Sequence, residues 1–400
     1  MLTRTRQLFL IPSYSLFMIC MMLQGMAISI SSPFLAVYFT TKLGVSAGTF
    51  GIFTAVTLIS GVWLSSIIAK RSDSGLNRKT LMFTAMLFNA LAFAGYLFIH
   101  EFYALLLYMT VFTAFGAPAM PQLFASAREA VNTSPSADHA FANSSLRSMF
   151  SLGFITGPLI GSIILNHLGF QGIFMSTSLI FLLNALLVCF FVKRPVSKKP
   201  AGIQTATQLK LHQNARVLIP FLVLTLLYAG HWLNNLNISL FIINTLGGST
   251  QNVATVSSIC ALLEIPFMLV LGVLSAKTSN RVLMFWGILL GAAYYILVLA
   301  STQLWHLLAG QVLLAFFVAV ISAIGISYIQ DLLPDLPGYA STLYTNATTI
   351  GRLAGSLAGG AAAEWVGYRN AYWGCLLLVV FSLALMLLPQ RYSAQKVYES

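Results

Sequence analysis

Apolar residues gather along this chain in runs of about twenty, and short polar breaks separate the runs. The pattern predicts spans near 12–39, 49–69, 80–99, 103–124, 142–165, 170–192, 217–242, 253–275, 282–301, 304–329, 341–363 and 370–389. About 20 residues in a helix cross a hydrocarbon core of roughly 30 Å. Helix is the form to expect, because lipid offers no partner to a free peptide group. The break within the merged run 282–329 is supplied by the polar stretch Ser301 to His306.

The longest polar break, 193–216, is rich in Lys, Gln, Thr and Asn and has six spans on either side. It predicts two domains, 1–192 and 217–400, joined by a basic linker at 193–216. The halves share a weak repeat. Gly157-Pro-Leu-Ile-Gly161 and Gly355-Ser-Leu-Ala-Gly359 stand 198 residues apart, and Gly169-Phe170 and Phe174 match Gly367-Tyr368 and Tyr372 at the same offset. Arg78 to Phe83 matches Asn280 to Phe285 at an offset of 202. Two related six-helix units with a site between them are a usual architecture for secondary transporters.

Composition strengthens the membrane reading. The 400 residues are 58% hydrophobic and 8% charged, against about one quarter charged in an ordinary soluble domain. The net charge of +12 does not point to nucleic acid, since the basic residues sit in short loops and form no stripe. Seventeen of the 21 basic residues fall on one side of the predicted spans, with only Lys42 and Arg369 on the other. The crowded side is expected to be cytoplasmic, with both termini there. The first span is too long for the apolar core of a signal peptide and is expected to be retained. All four cysteines lie in apolar spans, so a disulfide framework or metal motif is not expected. No metal or cofactor is expected.

Polar groups inside the spans carry the chemistry. Glu264 stands alone within 253–275, and the other eight acids fall in predicted loops or the tail. A charge at the bilayer centre costs about 2.5–3.5 kcal/mol or more, so Glu264 should face a cavity, a partner or a proton path. It is the proton-coupling candidate. Two other readings stay open: an ion-pair strut to Arg352 or Arg147, and direct contact with substrate. In the eleventh span Thr342, Thr345, Asn346, Thr349, Arg352 and Ser356 recur at steps of three and four, and Ser144, Arg147, Ser148 and Ser151 do so in the fifth. Each set occupies one helix face, lining either a cavity or another helix. The seventh span carries Tyr228, His231, Trp232, Asn234, Asn235 and Asn237. Amides both donate and accept hydrogen bonds, as sugar hydroxyls require, and an aromatic ring can stack on a sugar's apolar face. Packing between helices is the alternative. No nucleophile–base pair or phosphate-binding loop argues for an enzyme.

Four segments add a resemblance: Ala69-Lys-Arg-Ser-Asp-Ser74; Ala119-Met-Pro-Gln-Leu-Phe-Ala125 with Arg128-Glu129; Leu263-Glu-Ile-Pro266; and Gln330-Asp-Leu-Leu-Pro334 with Thr342-Leu-Tyr-Thr-Asn346. With its internal repeat the chain resembles the major facilitator superfamily, and in these four segments it resembles, more narrowly, the bacterial sugar efflux transporters. The resemblance implies an all-α integral membrane protein of twelve transmembrane helices in two pseudo-symmetric six-helix bundles. These bundles would rock about a central site and export small sugars or glycosides against protons. A bacterial cytoplasmic membrane and a monomer are expected, with no nucleic-acid partner. Helices 1, 4, 7 and 10 would surround the cavity, which adds Gln24 and Gln122 to Tyr228, His231, Trp232, Asn234, Asn235 and Asn346 as substrate-binding candidates. Asp73, Arg78, Arg128 and Asp331 are the cytoplasmic gate candidates, although the loop motif departs from the superfamily pattern at Ala69 and Ser74. Gly153 to Gly161, with Pro158, resembles an exporter-associated motif and also suits plain helix packing. A multidrug exporter of the same fold is the alternative, followed by a polytopic membrane enzyme or a sensor.

Overall fold

A helix satisfies the peptide groups of a segment in hydrocarbon from within that segment, and in the computed structural model of the protein every regular element among the described residues is helical. The structure describes residues 11–72, 77–132, 139–192, 215–275, 277–333 and 337–387. Asp73 and most of the linker predicted at 193–216 lie outside the described residues.

Ten helical runs are long and apolar enough to cross a membrane. Eight are single spans: α1 (Tyr14–Thr41), α2 (Ala47–Ile68), α3 (Arg78–Phe98), α4 (Phe102–Val131), α7 (Val217–Thr245), α8 (Thr250–Leu274), α9 (Asn280–Ala300) and α10 (Leu304–Leu332). The other two, Ser145–Phe191 and Ala340–Leu387, have 47 and 48 residues. At about 1.5 Å per residue each would be far longer than one bilayer. Each is interrupted by a glycine at positive φ, Gly169 at 66° and Gly367 at 82°, a conformation that disfavours any side chain. These glycines divide the runs into α5 (145–168) and α6 (170–191), and α11 (340–366) and α12 (368–387).

Contacts on either side of each glycine show that the chain doubles back there. Gly153 in α5 packs against Met22 of α1, while Asn184 in α6 donates to the Cys20 carbonyl at 3.0 Å. In the same way Gly355 in α11 meets Ala229 of α7, and the Cys375 thiol in α12 points at the Gly230 carbonyl at 3.5 Å. The result is an all-helical bundle of twelve crossings.

Local chemistry sets several helix starts. Asn77 accepts from the Lys79 amide to cap α3, Ser279 accepts from the Val282 amide at α9, and Ser249 with Asn252 forms a capping box on α8. Ser301 ends α9 and α10 begins at Leu304, dividing the run 282–329 where its polar break lies. Glu129, Asp331 and Glu364 were expected in loops. They lie instead in the end turns of α4, α10 and α11, because these helices continue beyond their apolar stretches.

The repeat reappears as packing. Gly153, Gly157 and Gly161 bring α5 against the backbone of α1, at Met22 and Met26, then Ile30. Their counterparts 198 residues on, Gly351, Gly355 and Gly359, bring α11 against Thr225, Ala229 and Leu233 of α7. Met22, Met26 and Ile30 therefore correspond to Thr225, Ala229 and Leu233 at an offset of 203. Small residues four apart let two helices approach to backbone contact. The exporter-like motif thus joins α5 to α1 of its own half.

The two halves meet at the end of the bundle away from the linker, called here the far end. There α2 approaches α11 closely enough that a Cβ on Gly51 would lie 2.7 Å from the Ser356 carbonyl oxygen, and one on Gly360 would lie 2.6 Å from that of Ala47. Ser46 donates to the Glu364 carboxylate at 2.8 Å, and Ser162 of α5 donates to the Gln251 side-chain oxygen of α8 at 2.5 Å. Trp63, Phe98, Leu107, Phe190 and Leu269 are among the large side chains left exposed on the outer faces, where lipid covers them.

Candidate functional site

Below the far-end contact, α2 and α11 diverge. A cavity of about 500 Å³ opens between them toward the linker end. Thr54, Thr57, Leu58, Gly61, Val62, Ser65 and Ser66 of α2 line one wall, with Thr113 and Ala117 of α4. Thr345, Asn346, Thr349 and Arg352 of α11 line the other. Thr54, Thr57, Thr113 and Thr345 each donate their hydroxyl to a carbonyl one turn back, at 3.0, 2.9, 2.6 and 2.9 Å. Their oxygens can therefore accept, while Asn346 and Arg352 supply donors.

Arg352 sits where the cavity narrows, one turn from the Ser356 contact. Its guanidinium carbon lies 4.3 Å from the Trp232 ring centre, and its Nε is buried without a partner in the structure. Stacking on a ring face stabilises a cation that has lost part of its hydration. His231 meets Trp232 edge-on at 5.9 Å, and its Nδ1 is likewise buried and unpartnered. The Trp232–Arg352 stack thus joins α7 to α11 beside the cavity, with His231 behind Trp232 and Asn346 on the cavity wall.

A second group lies on α7, α8, α10 and α11. The π-helical turn Val320–Ile324 interrupts α10 and leaves carbonyls free for side chains. Tyr344 donates toward the Ile321 and Ser322 carbonyls at 3.3 and 3.1 Å, and its hydroxyl is 2.7 Å from that of Tyr228. Tyr228 also reaches the Ile321 carbonyl at 3.3 Å. Glu264 is partly buried and within electrostatic reach of both tyrosines, and Arg147 of α5 is within reach of Tyr344. Among the described residues no ion pair joins Glu264 to Arg352 or Arg147 in this state, in which Arg352 is stacked on Trp232.

The remaining predicted residues are dispersed. Gln24 is buried in α1 with its side-chain oxygen unpartnered. Asn234 is buried and accepts from the Tyr294 hydroxyl at 3.3 Å, and Asn235 is exposed. Asn237, another member of the α7 cluster, donates to the Leu233 and Gly359 carbonyls at 3.1 Å each and so reinforces the α7–α11 seam. Gln122 accepts from Arg78 at 3.3 Å, and Arg78 pairs with Glu129 at 2.6 Å. Asp331 accepts from Asn280 at 2.7 Å, and Arg128 is exposed. These pairings of Arg78 and Asp331 stay within one half and do not cross between the two.

Sequence reasoning assigned no role to Tyr344 or to the α2 wall. The α2 signal was present: Thr54, Thr57, Leu58, Gly61 and Ser65 follow helical spacing on one face. Nothing in the residue pattern around 320–324 announces the π turn that Tyr344 uses.

Two six-helix halves closed at one end over a polar cavity define a membrane transporter of small solutes. The chain belongs to the Major Facilitator Superfamily, whose sequence profile matches residues 17–228 and again 220–399. It is 31% identical to sugar efflux transporter B of Salmonella typhimurium over 92% of this chain and 93% of that one. It is also 31% identical to sugar efflux transporter A of Dickeya chrysanthemi, over 88% and 89%. Among solved structures the nucleoside transporter NupG superposes with a TM-score of 0.80 at 16% identity, covering 93% of this chain and 97% of that one.

Proposed function

We propose that the protein exports small sugars or glycosides in exchange for protons across a bacterial cytoplasmic membrane. Similarity to sugar efflux transporters along about nine-tenths of the chain carries this reading. The cavity supports it: about 500 Å³ is within the roughly 300–1,000 Å³ of small-molecule sites. Its hydroxyls, amide and guanidinium suit a polyol, and Trp232 lies beside it. The rocking bodies are 1–192 and 217–400, joined by 193–216. With both termini and the linker cytoplasmic, the state described is open to the cytoplasm.

In this reading sugar enters between α2 and α11 and contacts Arg352, Asn346 and the threonines. Glu264 carries the proton, and Tyr228 and Tyr344 relay its state to α10 and α11. The test is a substrate panel on inverted membrane vesicles. Uptake of labelled lactose or a glucoside, abolished by a protonophore and unaffected by hydrophobic cations, is the expected result. Uptake of hydrophobic cations without sugar competition would replace this reading with drug export.

A further inference from the structure

A second cavity among the described residues is larger than the one between the halves. It is a cleft of about 710 Å³ at the far end of the N-terminal half, among the ends of α1 and α3 and the Gly169 turn. Tyr38, Tyr96 and Phe174 form an aromatic floor. Phe174 meets Tyr38 edge-on at 4.7 Å and stacks on Tyr96 at 4.3 Å. Lys42, His100 and Gln171 line the cleft and are exposed. Among the described residues Lys42 has no ion-pair partner, and the neighbouring acid Glu101 is not among the lining residues.

The internal repeat shows what such a cleft accepts. Offsets of 203, 198 and 202 carry Tyr38 to Phe241, Gln171 and Phe174 to Arg369 and Tyr372, and Leu97 and Ile99 to Leu299 and Ser301. In the C-terminal half Phe241 and Tyr372 repeat the edge-on contact, at 5.6 Å. The Arg369 guanidinium fills that place, lying 5.2 Å from the Phe241 ring centre and donating to the Leu299 and Ser301 carbonyls at 2.8 and 2.6 Å. The N-terminal half has the aromatic floor but a neutral Gln171 where the cation stands. Among the described residues no side chain reaches the Leu97 or Ile99 carbonyl.

We propose that this cleft binds the headgroup of an amino-phospholipid. The ammonium takes the position that Arg369 fills in the other half, over Tyr38 and toward the end of α3. The phosphate lies against Lys42, His100 and Gln171. Depth fits the assignment, because α1 and α3 end at the cleft, at the level where spans meet lipid headgroups. Exposed Leu168, Met175 and Leu179 continue from it along the outer surface as a path for acyl chains. An anionic lipid satisfies only the basic rim, and a free organic cation only the floor.

The experiment is thermal unfolding and native mass spectrometry of the full chain in detergent, with phosphatidylethanolamine, phosphatidylglycerol or soluble phosphoethanolamine added. Phosphatidylethanolamine is expected to raise the melting temperature and remain bound, with little effect from the other two. Gln171→Arg supplies the missing cation internally. It should melt higher than the native protein without lipid and gain nothing from phosphatidylethanolamine. Lys42→Ala, at an exposed position, should fold normally and bind that lipid at least fivefold more weakly, and it decides the matter if Gln171→Arg does not fold. An undiminished lipid response in both variants, or in Lys42→Ala alone if only it folds, overturns the proposal. So does an equal response to phosphatidylglycerol. Equal potency of soluble phosphoethanolamine would assign the cleft to a free solute instead of a lipid and also overturn it.

Discussion

The Arg352 guanidinium lies 4.3 Å from the centre of the Trp232 ring, and no acid pairs with it among the described residues. A cation held in this way stays beside the cavity it lines. Cation–π contacts contribute about 0.5–2 kcal/mol. Trp232→Leu should therefore weaken substrate affinity roughly twofold to thirtyfold while leaving the fold intact. Arg352→Lys should not preserve function, because an ammonium lacks the planar fork that stacks and donates together. Equilibrium binding of a labelled glycoside to the purified variants measures both.

Glu264→Gln keeps the shape of the side chain and removes its charge. Exchange of labelled for unlabelled sugar should continue in proteoliposomes, while substrate-driven proton movement and the pH dependence of efflux should disappear. A variant that still moves protons with full export would remove Glu264 from the coupling role.

Tyr344→Phe deletes the contact with Tyr228 and the bonds to the π turn of α10. Loss of buried hydrogen bonds of this kind costs about 1–2 kcal/mol, so the melting temperature should fall. Transport should suffer more than that loss explains, because Tyr344 lies within electrostatic reach of Glu264. Comparison of unfolding with transport rate separates the two effects.

Gly51→Trp places an indole where α2 meets Ser356 and Gly360. Neither backbone can yield, so the far end should stay apart and the population should shift to the state open there. A cysteine at Asn346 should then lose reactivity toward reagents added from the linker side. Unchanged labelling would show that the far-end seam has room to spare.

Much of the fold was legible because lipid imposes one rule on every segment. Runs of about twenty apolar residues gave the spans, and Ser301 divided the longest run where α9 ends. The glycines at 169 and 367 were visible as a repeat, but their hairpin role appeared only in the contacts on either side of them. The site was less legible. Spacing placed Arg352 and Asn346 on one face of α11, and both line the cavity. Composition alone placed Asn234 and Asn237 in the same polar cluster as Trp232, yet the structure commits both amides to packing partners. A polar side chain's surroundings depend on helix rotation and neighbours, which one sequence leaves open. The Arg352–Trp232 stack joins residues 120 apart in the chain, beyond the reach of any local pattern.

The two faces of α5 are fastened very differently. One is set into α1 along three glycines, backbone against backbone, over two full turns. The other is held to α8 through Gln251, by the Ser162 hydroxyl and, at 3.5 Å, by Asn166. A shear applied to the molecule would part the second seam long before the first. The fracture line is thus written into a single helix, along the surface that the proposed rocking of the two halves would part.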